Sequence, residues 1–183
     1  VVGYQNKERI KKANRIHWYN IKSDVERRGC ASILVPRIIS RRYVALWNKV
    51  GYVPGGTVIE LLPHVSLQSK ELDILLFLAI FNSSLMEVLI RGYAQMYGGG
   101  ASTVSLSQIK SLFTPDVKRF SINQQNALIS AYQSFLTSEN RKDIDDVMWD
   151  ILGLNANLFY TALQDLTMLS TTAKKKRPYY HSP

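Results

Sequence analysis

The sequence has few of the residues on which metal centres and catalytic sites depend. Its 183 residues include one cysteine, Cys30, and three histidines. A single cysteine excludes an internal disulfide framework and a multi-cysteine zinc site, and the widely separated His17, His64 and His181 have no metal-ligand spacing. No Gly-x-x-x-x-Gly-Lys-Ser/Thr motif is present, and no Gly-x-Gly-x-x-Gly motif follows a strand. We therefore assign no catalytic, cofactor-binding or metal-binding residue to this chain.

Long hydrophobic runs are also missing. The most apolar stretch without a charge, residues 74–86, is thirteen residues long, whereas a membrane span needs about 18. Asp73 and Glu87 flank this stretch, so we interpret it as a buried helix pair and expect no membrane partner. The chain begins at Val1 with polar and basic residues, from which we expect a cytoplasmic piece of a longer polypeptide.

Positive charge is distributed unevenly along the chain. The net charge is +9, and residues 1–50 hold twelve lysines and arginines against three acidic residues. Residues 51–183 hold eleven residues of each sign, with four basic residues clustered at 174–177. Clustered positive charge is typical of a protein that binds a polyanion. The sequence thus predicts a basic N-terminal surface, a mildly acidic body and a short basic tail.

The periodicity predicts strands first and helices afterwards. Short β-branched and aromatic runs bounded by proline and glycine predict antiparallel strands at 31–35, 43–47 and 57–62, with 38–42 as a link. Helical spacing and capping residues predict helices at 69–81, 85–96, 123–137, 141–152 and 155–170, with Gly153 as a C-cap. Residues 102–106 suggest a short strand, and 107–112 a helical turn.

These patterns predict an α+β fold, with a small antiparallel sheet, packed helices and a C-terminal helical lobe. We expect a basic arm and an α+β domain over residues 1–114. The helical lobe is predicted over 115–172, and a flexible basic tail over 173–183.

Basic residues are interleaved with aromatic residues at 12–19 and 37–47, and a separate run of three glycines lies at 98–100. Lysine and arginine neutralise phosphates, arginine can read guanine, aromatic rings stack on unpaired bases, and glycine lets the backbone approach a ligand closely. The candidate nucleic-acid-binding residues are Lys11, Lys12, Arg15, Trp18, Lys22, Arg37, Arg41, Arg42, Gly99, Gly100 and Ser102.

Structural roles are the alternative for several of these features. The glycine run at 98–100 also fits a plain turn, and Trp47 fits a core position. The acidic residues Asp143, Asp145 and Asp146 stand at a helix start, where helix-dipole compensation explains them without a metal.

The order of five segments resembles the C-terminal target-recognition domain of TaqI-like, adenine-specific (N6) DNA methyltransferases from restriction–modification systems. The segments are Arg-Ile-His-Trp-Tyr at 15–19, Ile-Leu-Val-Pro-Arg-Ile at 33–38, Leu-Ala-Ile-Phe-Asn-Ser-Ser-Leu at 78–85, the glycine run with 104–113, and 144–154 ending in Leu-Gly-Leu. The chain departs from the family at 112–115, where Leu-Phe-Thr-Pro stands in place of Leu-Pro-Ile-Pro.

The resemblance implies a division of labour within a larger prokaryotic enzyme. This domain would bind duplex DNA and read its sequence, while a preceding catalytic domain of the same polypeptide flips out and methylates the adenine. S-adenosylmethionine and the Asn/Asp-Pro-Pro-Tyr/Phe motif belong to that preceding domain in the family, and no two prolines are adjacent in this chain. A fused or separate nuclease is a further implied partner.

Two other functions fit the same residues. One is a specificity subunit that binds DNA and recruits a separate methyltransferase. The other is a helical interaction module whose basic arm binds RNA. A preference for RNA over duplex DNA would favour the second of these alternatives.

Replacement of Arg41 and Arg42 together by alanine tests the predicted link at 38–42. We expect weaker binding to duplex DNA, and a salt dependence that flattens by about one unit for each lost phosphate contact. Titrations at several salt concentrations measure both quantities. Unchanged affinity and slope would exclude this link from the interface.

Overall fold

The computed structural model describes residues 31–40, 42–62, 70–97, 101–155, 157–162, 164–165 and 168. Within these ranges the chain has the predicted α+β fold. Its strands are β1 (Ile33–Pro36), β2 (Ile38–Ile39), β3 (Leu46–Trp47), β4 (Val58–Leu61), β5 (Gln95–Tyr97) and β6 (Ala101–Thr103). Its helices are α1 (Lys70–Phe81), α2 (Ser84–Tyr93), α3 (Leu106–Lys110), α4 (Ile122–Ser138) and α5 (Lys142–Leu152), with a 3-10 turn at Val117–Arg119. Predictions for the arm at 1–30 and the tail at 173–183 lie outside the described residues.

The strands form two small antiparallel sheets instead of the one that the sequence predicted. The first has the order β3-β1-β4 and the second has the order β2-β6-β5. Arg37 joins them, because its backbone N–H donates to the carbonyl of Thr57 at 2.9 Å and its carbonyl accepts from the N–H of Val104 at 2.9 Å. The chain thus passes from one sheet to the other at a single residue.

Pro36 can occupy the end of the central strand β1 because no neighbouring strand needs a hydrogen bond from its position. Strand β3 pairs only with Ile33 and Leu34. Since the N–H of Arg37 points towards β4, the side on which Pro36 lacks an N–H is that of β3, which has already ended. No ladder hydrogen bond is lost.

The predicted strand at 43–47 is wrong over residues 43–45, because side chains bind the backbone there. The side-chain carbonyl of Asn82 accepts from the N–H of Ala45 at 2.9 Å, and its amide donates to the Ala45 carbonyl at 3.0 Å. Arg141 donates to the carbonyl of Tyr43. These contacts replace the hydrogen bonds of a neighbouring strand, so β3 contains only Leu46 and Trp47.

The predicted helix at 85–96 is wrong at its end. Helix α2 stops at Tyr93, Ala94 is extended, and the next three residues form β5, which pairs with β6. The link at 38–42 likewise contains a strand, because Ile38 and Ile39 pair with Thr103 and Ser102. Pairing with β6 decides both segments, from a long way along the chain for β2 and from a few residues away for β5.

The break between α1 and α2 occurs at the predicted Asn-Ser-Ser. The hydroxyl of Ser83 caps α2 by accepting from the N–H of Met86. The carboxylate of Asp145 accepts from the N–H and the hydroxyl of Ser84 at 2.7 and 2.6 Å. Burial raises the pKa of Asp145, and these hydrogen bonds from Ser84 oppose that increase. Asp145 therefore binds the first residue of α2, in addition to lying in the first turn of its own helix α5, where the sequence predicted its role.

A continuous hydrophobic core extends from β1 to α5, with α4 packed against α1 and α5. The buried carboxylate of Glu87 pairs with Arg91 at 2.6 Å and with Arg141. Gly153 ends α5 with φ of 62°, a left-handed C-cap as predicted. Among the described residues no single helix is long and apolar enough to cross a membrane. Helices α1 and α2 meet that criterion only as a pair, and they are bent by 67°.

Replacement of Asn82 by alanine should destabilise the fold strongly. It leaves the N–H and carbonyl of Ala45 buried without their partner, at a cost of about 3 kcal/mol. Asn126, an exposed asparagine on α4, is the matched control, and its replacement by alanine should change stability by less than about 0.5 kcal/mol. Urea unfolding measures both free energies. Equal values for the two variants would contradict the role given to Asn82.

Candidate nucleic-acid interface

An open groove of about 490 Å³ lies where the second sheet meets the start of α3. The residues that line it share polar side chains, with one exception, Val104. They are Arg37, Gln95, Thr103, Val104, Ser105, Ser107 and Gln108. An open surface lined by polar side chains suits a hydrated ligand better than an apolar small molecule.

One face of the second sheet contributes to this groove. Ile38 lies opposite Thr103, which in turn lies opposite Gln95, so the three side chains form one row on one face. Ile38 is 52% exposed and Gln95 is exposed. The other face carries Ile39, which is fully buried against the core.

Arg37 places the only guanidinium in the lining of this groove. Its side chain is exposed, and its Nη1 donates to the carbonyl of Gly56 at 3.3 Å. Within the described ranges no carboxylate pairs with it. Its two backbone hydrogen bonds to Thr57 and Val104 fix where the side chain begins. Arg37 is therefore a positioned cation whose charge no described acidic residue neutralises.

Helix α3 forms the opposite wall through a capping box. The hydroxyl of Ser105 accepts from the N–H of Gln108, and the side-chain carbonyl of Gln108 accepts from the N–H of Ser105 at 2.7 Å. The amide of Gln108 also donates to the carbonyl of Tyr93 at the end of α2. The side-chain carbonyl and amide of Gln108 thus connect the start of α3 to its own cap and to the end of α2.

Lys110 is a further basic residue of helix α3. It stands three residues after Ser107, which lines the groove, and residues three apart are neighbours on a helix surface. Lys110 is exposed, but it is not among the residues that line the groove.

Two other candidate residues lie away from the groove lining. Arg42 forms an ion pair with Glu139 at 2.9 Å, beyond the end of α4, so a phosphate would have to displace this carboxylate. Ser102 is 7% exposed and points to the same face as Ile39, and its neighbour Thr103 lines the groove instead. Lys11, Lys12, Arg15, Trp18, Lys22, Arg41, Gly99 and Gly100 lie outside the described residues.

Sequence reasoning identified Arg37 but missed Gln95, Thr103 and Gln108. The available signal was the segment Gln-Met-Tyr-Gly-Gly-Gly-Ala-Ser-Thr at 95–103. Two short β-prone segments separated by three glycines are typical of a hairpin. The helical spacing of the residues before this segment extended the predicted helix to residue 96, so the hairpin was not predicted. In the described part of the chain no group of acidic residues, histidines or cysteines could hold a metal ion.

Replacement of Gln108 tests whether this residue holds the groove wall. In Gln108→Ala both contacts are lost, whereas Gln108→Glu retains an acceptor for the N–H of Ser105 and loses the donor to Tyr93. We expect amide exchange in α3 to accelerate most in the alanine variant, by roughly fivefold to tenfold for a loss of about 1 kcal/mol, and less in the glutamate variant. Hydrogen-exchange mass spectrometry measures this order. Exchange at the wild-type rate in both variants would contradict it.

Comparison of the chain with protein-family models, with curated proteins and with solved structures finds no match in any of the three. The functional argument therefore depends on the residues of this chain, and on the resemblance that the order of its segments carries.

Proposed function

We propose that this chain binds duplex DNA in a sequence-specific manner, as the target-recognition part of an adenine-N6 DNA methyltransferase. The observation that carries the proposal is the groove beside Arg37. It combines a positioned guanidinium with hydroxyl and amide groups on an open sheet face, which are the groups that bind phosphates and base edges.

The distribution of charge supports a two-part interface. The described residues include ten lysines and arginines against eleven acidic residues, so they are nearly neutral in sum. The remaining residues hold thirteen basic and three acidic residues. Non-specific attraction to the DNA backbone would come mainly from those basic segments. The groove would supply the orientation and the reading of sequence.

Two of the segments that carry the family resemblance have a role in the folding of this chain. Asn82 and Ser84 from 78–85, and Asp145 from 144–154, form the buried hydrogen bonds that join the helices to the first sheet and to each other. These residues of the resembling segments are therefore part of the buried hydrogen-bond network of this fold.

The parent enzyme follows from the resemblance. A preceding catalytic domain of the same polypeptide would bind S-adenosylmethionine and methylate the adenine, with a fused or separate nuclease as its restriction partner. No residue of this chain is assigned to the cofactor. A cytoplasmic location in a prokaryote accompanies this proposal.

Replacement of Arg37 by alanine tests the proposed function. Loss of one charged contact should weaken duplex binding by roughly tenfold and reduce the slope of log affinity against log salt by about 0.9. Lys142, an exposed lysine on α5 that pairs with Asp146, is the control of equal charge. Fluorescence anisotropy with a labelled duplex at several salt concentrations measures both variants.

Two results would contradict the proposal. One is the absence of duplex binding by the wild-type chain at low salt. The other is tighter binding to RNA than to duplex DNA, which would favour the interaction module with an RNA-binding arm.

A further inference from the structure

We propose that the outer face of the β5–β6 hairpin enters the major groove of DNA and that Gln95 reads a base there. This inference rests on the proposed function, and it names a specificity-determining residue within the same site. The favoured base is adenine, because a glutamine amide can donate to N7 and accept from the N6 amino group of adenine at the same time.

The dimensions of the hairpin fit the major groove. Strands β5 and β6 are the antiparallel pair at one edge of the three-stranded second sheet, with β6 between β5 and the two-residue β2, and neighbouring strands lie about 4.8 Å apart. The major groove is about 12 Å wide and admits a pair of adjacent strands. Strand β2 flanks this pair and adds Ile38 to the same row of side chains.

Gln95 is available for a ligand, whereas three other glutamines of the described fold are committed to hydrogen bonds. The side chain of Gln108 is committed to Ser105 and Tyr93, and Gln124 and Gln125 bind Ser121 and Phe120. Gln95 is exposed, and its amide forms no hydrogen bond with any described residue. Its backbone is held by pairing with Thr103. The residue is thus fixed at its backbone and free at its side chain.

The neighbours of Gln95 complete a surface for base edges. Thr103, directly opposite, offers a hydroxyl and a methyl group, and Ile38 offers an exposed apolar side chain. Apolar groups contact the methyl group of thymine, which lies in the same groove and pairs with adenine. Arg37, which also lines the protein groove, supplies a positive charge for the adjacent DNA phosphate. Arg37 would thus contribute to affinity, whereas Gln95 and its neighbours would contribute to sequence specificity.

The proposal excludes double-stranded RNA as the natural ligand of this face. The major groove of A-form RNA is too deep and narrow for protein side chains to read. Duplex DNA is therefore the one occupant to which the hairpin is assigned.

The experiment selects bound sequences from a randomised duplex DNA library with the full 183-residue chain. Wild type, Gln95→Ala and Gln133→Ala are compared, since Gln133 is an exposed glutamine on α4, outside the groove. We expect wild type and Gln133→Ala to enrich the same motif. Gln95→Ala should retain that motif except at one or two adjacent positions that include an adenine, and should bind the wild-type motif about 5- to 100-fold more weakly. Thr103→Val, which replaces the hydroxyl with a methyl group, should alter the base preference at a position of the motif next to the one that Gln95 reads.

The outcomes separate the two proposals. A wild-type motif that survives intact in Gln95→Ala would overturn the base-reading role and leave the DNA-binding function standing. A uniform loss of affinity for every sequence would also overturn it, since Gln95 would then contact only the backbone. A wild-type chain that enriches no sequence would overturn the proposed function itself. Thermal unfolding of each variant verifies that it is folded.

Discussion

The buried hydrogen bonds at the break between α1 and α2 position the other parts of the fold. Asn82 binds the backbone of Ala45 beside the first sheet, and Ser84 binds Asp145 on α5. Buried polar groups must be paired, so these contacts admit few alternative arrangements. The direction that α2 takes from this break carries the chain into β5. The groove is thereby built on the same few hydrogen bonds that hold the core.

Arg37 connects this scaffold to the proposed function. Its backbone joins the two sheets, so its side chain starts from a rigid position at the rim of the groove. A site on rigid elements keeps its geometry better than a site on loops. The described residues are nearly neutral in sum, so under the proposed function the attraction to the DNA backbone would come mainly from the basic segments outside them.

Local signals in the sequence predicted much of the fold and only part of the site. The helices at 69–81, 123–137 and 141–152 follow from their spacing and caps, and the structure confirms each to within about a residue where it is described. Strand β2 could not be predicted in this way, because two residues have no periodicity and their partner strand β6 is distant in sequence. Strand β5 was missed for another reason, since the helical spacing before it continued into its three residues and hid its pairing with the nearby β6. Residues 43–45 failed as a strand because Asn82 and Arg141 bind their backbone. Arg37 was predicted from its charge, whereas Gln95 became visible only once β5 was known.

The most direct test of the account is photochemical crosslinking of the chain to a duplex DNA that carries 5-iododeoxyuridine, followed by peptide mapping. The account predicts crosslinks within residues 95–108 and at 37–38, where the sheet face and the groove lie. Crosslinks confined to α4 and α5, with none in those two segments, would contradict it.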